Sequence, residues 1–356
     1  MKNIYLQIFD KQPVNESMAL ATITATTGST PQKPGSSALF GLSGLISGTV
    51  GGGILEAKVQ QLAREAILLK KSGFYHFSLD NDISQPEEAI CGGKASILID
   101  AVLSDHKVVF EQIGKSMMQR VPGILATRVT GSGNNQVSVH RTWIKRGEET
   151  SLPPGYSPEV AQSIAKLLME GNWGDFSEFY LPGPGKDEML FLEPVIPFPR
   201  LVIAGAGHIG RALAHLGNLL GFEVMVVDER ADYANPDKIP DADQVLAEDI
   251  GHAMQSLKKT ADTYIVIVTR GHKNDADALR SCIGSGVAYI GMIGSKKKIA
   301  LMRRNFLEEG WASPDQWDSV YAPIGLDIHS ESVQEIAVSI AAQLIAVRNS
   351  KVHAHA

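Results

Sequence analysis

Cysteine is scarce in this 356-residue chain: there are two, Cys91 and Cys282, far apart in the sequence. They make neither the disulfide framework of a small secreted domain nor a CxxC pair that would hold zinc. The chain also lacks any apolar run near the roughly 20 residues of a membrane span. Its first residues do not form the apolar stretch of a signal peptide. We therefore expect a cytoplasmic protein that neither binds a membrane nor carries a metal site of its own.

An excess of basic residues is absent as well. The chain has 33 Lys and Arg against 39 Asp and Glu, a formal net charge of -6. This balance argues against a nucleic-acid partner, which requires a basic face. Apolar residues make up 44% and charged residues 20%, as in ordinary globular proteins. The length exceeds what one ordinary core requires and predicts two domains.

A proline-rich segment marks the expected boundary between these domains. Residues 193–199 contain three prolines. Because proline cannot continue a helix or a central strand ladder, we place the boundary between residues 196 and 197. The chain then divides into a first domain, 1–196, and a second domain, 197–356.

The pattern in the first domain predicts an α+β fold. An amphipathic helix is expected from Leu55 to Leu69, and Gly73 lies where that helix should stop. A second helix is expected at Pro158–Met169. The strands are predicted at Ala19–Thr26, Ser37–Phe40, Leu45–Val50, Ala95–Ile99, Gly123–Thr130 and Gln136–Ile144.

The second domain alternates strand and helix. A helix from Arg211 to Leu220, closed by Gly221, follows the first strand. The strands are predicted at Leu201–Ala204, Glu223–Val227, Tyr264–Val268 and Ala288–Ile293. Such alternation predicts an α/β domain of the Rossmann type, with a parallel sheet covered by helices on both faces.

A GxGxxG loop follows the first of these strands and opens a helix. Gly205 permits the tight turn, Gly207 lets the backbone approach a phosphate, and Gly210 lets helix and strand pack closely. The N–H groups at the helix start, where His208 lies, favour an anion. Asp228 ends the next strand about 20 residues on, and we expect its carboxylate to accept hydrogen bonds from ribose hydroxyls. In the alternative interpretation the glycines serve only the packing of a turn.

Two further loops leave the carboxyl ends of strands, where ligands bind in doubly wound sheets. One carries Arg270 and His272, a candidate proton carrier. The other carries Ser295, a good N-cap, and Lys296 with two more lysines, which suit an anion. A solvated basic helix start is the alternative for the lysines. Cys282 falls on the apolar side of a helix and is expected in the core.

The first domain has two glycine motifs with open interpretations. Gly51, Gly52 and Gly53 precede a helix and could form a second anion site, or a tight turn only, and Glu56 in the first turn would compete with the anion. Cys91 precedes Gly92 and Gly93, so a ligand could come close to its thiol. Composition alone favours a structural cysteine.

With these motifs in place, the chain resembles the XdhC/CoxI family, the xanthine dehydrogenase accessory factors. The resemblance covers most of both domains and is weakest in residues 105–190. It rests on Ala25–Pro31, Gly48–Glu56, Cys91–Gly93, Ile203–Gly210, Thr269–His272, Tyr289–Ser295, Pro323–Ile328 and Glu335–Ile340.

The resemblance implies a role in the maturation of molybdenum hydroxylases such as xanthine dehydrogenase. Family members are thought to bind molybdenum cofactor, as molybdopterin or its dinucleotide form, to assist its sulfuration and to deliver it to the apo-enzyme. This implies a cofactor site between the two domains, a cysteine desulfurase as a further partner, and a homodimer. It also makes Cys91 the best candidate for sulfur or metal contact, with Gly92 and Gly93 beside the cofactor.

The sequence departs from the family pattern in two places. Ile54 stands where many relatives carry cysteine, and His329 stands where a glycine is expected. If two thiols were needed for sulfur relay, the first departure would argue against that role.

Two other classes of function remain open. One is an NAD(P)-dependent oxidoreductase, supported by the glycine loop and Asp228, with His272 as proton donor. The other is a nucleotide sensor in which the first domain is a docking module. We expect a cofactor-maturation factor rather than an enzyme that turns over a metabolite.

Overall fold

The structure is a computed structural model. The described residues are 4–11, 17–79, 92–131, 135–148, 157–170, 177–181 and 188–353. The chain divides into two compact units, Lys2–Pro197 and Phe198–Ala356.

The first unit contains an antiparallel sheet with helices against it. The helices are α1 (Ile4–Lys11), α2 (Gly53–Leu69), α3 (Lys107–Met118) and α4 (Pro158–Glu170). The strands are β1 (Met18–Thr27), β2 (Ser37–Gly41), β3 (Gly44–Gly48), β4 (Ser72–Ser78), β5 (Lys94–Asp100), β6 (Gly123–Gly131), β7 (Gln136–Lys145), β8 (Ser177–Leu181) and β9 (Glu188–Val195). In the described part of the chain they form one sheet of order β3-β2-β1-β5-β4-β7-β6-β9-β8.

Helix α2 packs on this sheet through its apolar stripe. Leu55, Val59 and Ala63 share a core cluster with residues of β1, β2 and β5. The helix ends before Gly73, where the sequence predicted its stop. The chain turns at Lys70, which adopts the left-handed conformation with φ 52°, and Gly73 lies inside β4.

The proline-rich segment begins inside the sheet. β9 runs through Pro194, which pairs with Ile124 of β6, and ends at Val195. The described pairing of β9 with β8 reaches only to Leu192. Beyond Leu192 the described pairing thus leaves one edge of β9 without a partner strand, and a proline is tolerated where no ladder hydrogen bond requires its N–H.

The second unit is a parallel α/β sheet. Its strands are β10 (Arg200–Ala204), β11 (Glu223–Val227), β12 (Gln244–Leu246), β13 (Thr263–Ile267) and β14 (Tyr289–Met292). Its helices are α5 (His208–Leu219), α6 (Ile250–Ser256), α7 (His272–Cys282), α8 (Lys296–Glu308), α9 (Pro314–Asp318) and α10 (Val333–His353). The strand order is β12-β11-β10-β13-β14, with parallel neighbours throughout.

Both faces of the parallel sheet are covered, because successive residues of a strand point to opposite faces. Val202 and Ala204 of β10 share one core cluster with residues of α6, α7 and α8. Leu201 and Ile203 share the other cluster with residues of α5 and α10. The predicted fold class, a Rossmann-type domain with a further α+β domain, is confirmed.

Cys282 lies in the first of these clusters and is fully buried, so its expected place in the core is confirmed. Burial raises the pKa of its thiol to about 12. Within the described residues, no helix has the length and apolarity to cross a membrane.

Candidate functional site

Two glycines of the GxGxxG loop are required by close packing. Gly205 has φ 116°, and a Cβ there would lie 2.5 Å from the carbonyl oxygen of Val268. A Cβ on Gly210 would overlap the carbonyl oxygen of Gly205. Only glycine therefore lets the loop turn off β10 and lets α5 start directly against it.

Gly207 differs from its two neighbours in the motif. It is the N-cap of α5, its φ is -69°, and no side chain caps the helix. A Cβ on Gly207 would meet nothing within 4 Å. Packing within the described residues thus does not explain this glycine, and the backbone there leaves room for a group that approaches the helix N-terminus. His208, the next residue, is exposed.

The carboxylate of Asp228 lies at the end of β11 and is buried, with its side chain 3% exposed. Its Oδ2 accepts hydrogen bonds from the N–H of Ala206 and from Nη2 of Arg230, each at 2.8 Å. Its Oδ1 accepts from the backbone N–H of Arg230 at 3.0 Å and from its Nε at 2.8 Å. A ribose hydroxyl, the ligand expected from the sequence, could reach this carboxylate only by displacing one of these donors.

Asp228 stays ionised over a wide pH range. Burial acts to raise its pKa, but the hydrogen bonds from Arg230 and from the Ala206 amide outweigh burial, so the pKa lies below its ordinary value. The Arg230 guanidinium in turn stacks over the ring of Tyr233, 3.8 Å from its centroid.

The loop after β13 places its two predicted ligand residues in solvent. Arg270 is exposed, and so is His272, the first residue of α7. Asp275 stabilises the loop: it is fully buried and accepts a hydrogen bond of 2.6 Å from Oγ1 of Thr269.

The three lysines after β14 differ: two are exposed, and the third forms contacts within the protein. Ser295 caps α8 by accepting a hydrogen bond from the N–H of Lys298 at 3.3 Å, as expected. Lys296 and Lys297 are exposed. Lys298 points inward, pairs with Asp275 and donates to the carbonyl of Ile293 at 3.2 Å. Lys298 therefore joins α7 and α8 rather than offering its charge to a ligand.

The turn that contains the triple glycine of the first unit already binds a carboxylate of this chain, that of Glu56. Oε2 of Glu56 accepts hydrogen bonds from the N–H groups of Val50 and Gly52 at 3.1 and 3.4 Å, and from Thr49 Oγ1 at 2.6 Å. Added Cβ atoms on Gly52 or Gly53 would meet nothing within 4 Å, but both have positive φ. A phosphate bound by Gly51, Gly52 and Gly53 would have to compete with this carboxylate.

Three motifs of the first unit contact one another. A Cβ on Gly28 would lie 2.9 Å from the carbonyl oxygen of Gly92, and one on Gly51 would lie 2.5 Å from Cγ of Pro31. A Cβ on Gly93 would fall 2.6 Å from the carbonyl oxygen of Thr27. The backbones of the Gly28 and Gly93 segments therefore pack directly against each other, and Gly51 packs against the ring of Pro31. Cys91, the candidate for sulfur or metal contact, lies outside the described residues.

An open depression of about 510 Å³ lies beside these motifs. It is formed by the ends of β1, β4 and β5. Its polar lining includes Thr26, His76, Lys94 and Ser96. Nδ1 of His76 and Oγ of Ser96 are hydrogen-bonded at 2.9 Å.

Sequence reasoning missed Arg230 and Asp275 at these edges. Arg230 stands two positions after Asp228, and the basic residue after an acidic strand end was the available signal. Asp275 and Lys298 form an ion pair across 23 positions, and no local pattern indicates that pairing.

The fold and its glycine loop define a protein with a C-terminal Rossmann domain and a separate antiparallel N-terminal domain. Comparison with protein families gives the finer class. The XdhC Rossmann domain model matches residues 201–344, and the model of the XdhC and CoxI family matches residues 14–78. The chain belongs to the XdhC and CoxI family, as its motifs predicted.

The chain matches two curated relatives over very different shares of their length. It is 36% identical over 153 residues to the uncharacterized protein YqeB of Escherichia coli, which is 43% of this chain but only 28% of that protein. It is 25% identical over 335 residues to a probable subunit of xanthine dehydrogenase from Bacillus subtilis, 94% of each protein.

A solved structure has the same fold. A xanthine dehydrogenase from Bacillus halodurans superposes with a TM-score of 0.76 at 22% identity, over 97% of this chain and 96% of the other.

Proposed function

We propose that this protein is an accessory factor for a xanthine dehydrogenase-type molybdenum hydroxylase, and that it binds molybdenum cofactor through the glycine loop of its Rossmann domain. The single observation that carries the proposal is the open backbone at Gly207 in a chain with both XdhC domain matches. The name of the B. subtilis relative, which describes a probable subunit of xanthine dehydrogenase, supports the client class.

The residues present fit the phosphate of this cofactor. The N-terminus of α5 offers N–H groups with no side-chain cap, and the helix dipole favours a negative charge there. Arg270 and Lys296 are exposed and follow β13 and β14 at the same carboxyl edge of the sheet. We assign these two cations to the charge of the bound cofactor and His272 to proton movement beside it. The cofactor itself supplies the redox chemistry of the client enzyme.

Sulfuration and delivery are the finer part of the proposal. Cys91 would contact the sulfur or the metal, a cysteine desulfurase would supply the sulfur, and a homodimer would be the acting form. These assignments rest on the family resemblance and on the direct packing of Gly28 against Gly92, which fixes the backbone next to Cys91 in sequence.

Reconstitution of an apo molybdenum hydroxylase tests the proposal. The wild-type protein should raise the yield of active, sulfurated enzyme, and Gly207→Ala should lower that yield because its methyl group fills the approach to the helix N-terminus. Gly131→Ala is a matched control, since it also adds a Cβ that meets nothing within 4 Å and has no positive φ. A yield that is unchanged by the wild-type protein would refute the role.

The second candidate is an NAD(P)-dependent oxidoreductase, and the glycine loop with Asp228 at the end of β11 is the observation that favours it. The existing hydrogen bonds of Asp228 weigh against a free ribose diol at this position. Turnover of NADH or NADPH with a defined substrate would establish this function in place of the first.

A further inference from the structure

Beyond the glycine loop, the end of β11 carries a second group of side chains that no part of the proposed function uses. It consists of Arg230 and Tyr233, which follow β11, and of Arg211 on α5, whose guanidinium also lies over the Tyr233 ring. The guanidinium carbons of Arg211 and Arg230 lie 5.5 Å and 3.8 Å from the centre of the tyrosine ring. Arg211 also donates from Nε to the carbonyl of Ala206 at 3.2 Å. Both arginines are thus held beside the loop that offers Gly207.

The carboxylate of Asp228 has no acceptor site left for a ligand. A carboxylate has about four lone-pair sites, and Asp228 receives four hydrogen bonds, three of them from Arg230. In Rossmann domains the acid at this strand end ordinarily accepts from the ribose 2′-hydroxyl. With Arg230 in place, a neutral diol finds no free acceptor on Asp228.

Donors and positive charge remain. A guanidinium has five N–H groups, and side-chain bonds to Asp228 use only Nε and Nη2 of Arg230. Arg211 uses Nε, and within the described residues no carboxylate pairs with it. Arg230 pairs with Asp228 and also lies in the field of Glu229, so the positive charge at this edge that no carboxylate of the described residues pairs with is that of Arg211. A phosphate, with three acceptor oxygens, is the group that such paired guanidinium donors bind best.

We infer that Arg211 and Arg230 form an anion site at the end of β11, and that the Rossmann domain binds nucleotides with a phosphate on the ribose in preference to nucleotides with a free ribose diol. The inference rests on one part of the proposed function, namely that the glycine loop holds a phosphate. A nucleotide bound in this way occupies the loop and competes there with the proposed cofactor.

The test compares two probes with the same number of phosphates. Adenosine 2′,5′-bisphosphate and adenosine 5′-diphosphate differ in whether one phosphate lies on the ribose 2′ position. Isothermal titration of the full-length protein should show at least about tenfold tighter binding of the 2′,5′-bisphosphate, the effect of one charge-assisted hydrogen bond. NADPH and NADH, followed by fluorescence, should give the same order.

Substitutions assign the preference to the arginines. Arg230→Met should remove the preference and tighten NADH, because it frees acceptors on Asp228, and Arg211→Met should weaken the 2′,5′-bisphosphate. Arg230→Lys should retain part of the preference. The control is Arg303→Met, which changes an exposed arginine on α8 that pairs with Asp318 of α9 and should leave both affinities unchanged. If Arg230→Met fails to fold, as judged by circular dichroism, the test depends on Arg211→Met and Arg230→Lys.

Equal affinity for the two probes, tighter binding of the 5′-diphosphate, or equal weakening of both by Arg230→Met would overturn the inference. So would the absence of binding by either nucleotide. None of these results changes the reconstitution yield, so the proposed accessory role stands or fails separately.

Discussion

The backbone N–H of Ala206 donates a hydrogen bond of 2.8 Å to Oδ2 of Asp228, across the gap between the glycine loop and the end of the neighbouring strand. The bond joins positions 22 residues apart. Because the same carboxylate holds Arg230, one buried side chain fixes both the middle of the loop and the first residues after β11. Asp228 is therefore a structural support of the site as well as part of its edge.

Asp228→Asn should destabilise the Rossmann unit by about 1–3 kcal/mol at pH 7, the cost of weakening buried charged hydrogen bonds. The folded-state pKa of Asp228 is lowered, so its stabilising contribution is present above the unfolded pKa of about 4 and is lost as pH falls further. Urea unfolding of both proteins should show a constant difference from pH 7 to 5 and a smaller one below about 4. A difference that already shrinks between pH 7 and 5 would contradict this assignment.

Gly210→Ala and Gly207→Ala should differ in their effects on stability. The first places a methyl group against the carbonyl oxygen of Gly205, so we expect a loss of about 1–3 kcal/mol or more from forced backbone movement. The second meets open space at an ordinary φ and should change the melting temperature little. Melting temperatures equal to that of the wild type for both variants would show that the loop tolerates a side chain at both positions.

Glu193 should make the first unit less stable as pH rises. Burial raises the pKa of Glu193 to about 7, although Tyr5 donates a hydrogen bond to its Oε2 at 2.6 Å. The folded state thus binds a proton that the unfolded state releases near pH 4, and stability falls between about pH 4 and 7.

Glu193→Gln lacks this titration, so its stability relative to wild type should increase from pH 5 to 8, by roughly 1–3 kcal/mol. Tyr5→Phe removes a hydrogen bond that lowers the pKa of Glu193, so it should extend the fall of stability to higher pH. Denaturant midpoints measured at several pH values test both statements. Parallel profiles for wild type and Glu193→Gln would rule out a raised pKa.

Cys282 should not react with thiol reagents in the folded protein. It is fully buried, and its pKa of about 12 leaves almost no thiolate at pH 8. In a Cys91→Ala variant, Cys282 is the one remaining thiol, and colorimetric titration should detect it only after denaturant is added. Rapid modification in native buffer would place Cys282 at an accessible surface.

Local periodicity predicted much of the fold. The apolar runs in the second domain lie within one residue of β10, β11 and β13, and the hairpin of β6 and β7 was expected from its two strands and central glycine. The helix α3 was missed, although Phe110, Ile113 and Met117 recur at helical spacing and are buried. The order of the antiparallel sheet was not predicted, because pairs such as β4 with β7 depend on distant contacts.

A short sequence motif predicted part of the candidate site. Contacts in which a side chain turns back onto a neighbouring residue or backbone segment were harder to predict. The strand–loop–helix context predicted the packing roles of Gly205 and Gly210, whereas the approach of a phosphate at Gly207 stays a prediction. The return of Arg230 onto Asp228 depends on the course of the backbone turn, whereas the competition of Glu56 for the N–H groups before α2 was expected and is confirmed. A sequence pattern shows that a charge is near, but not whether it already has a partner.

The central position of β10 in the parallel sheet has a consequence for synthesis of the chain. β10 pairs with β11 on one side and with β13 on the other, and the second partner is translated much later than the first. Domains fold largely from the N-terminal side as the chain emerges from the ribosome. One edge of β10 therefore stays unpaired until Thr263–Ile267 has emerged, whereas β6 can pair with β7 almost at once. The nascent Rossmann unit is exposed to wrong pairing during this interval.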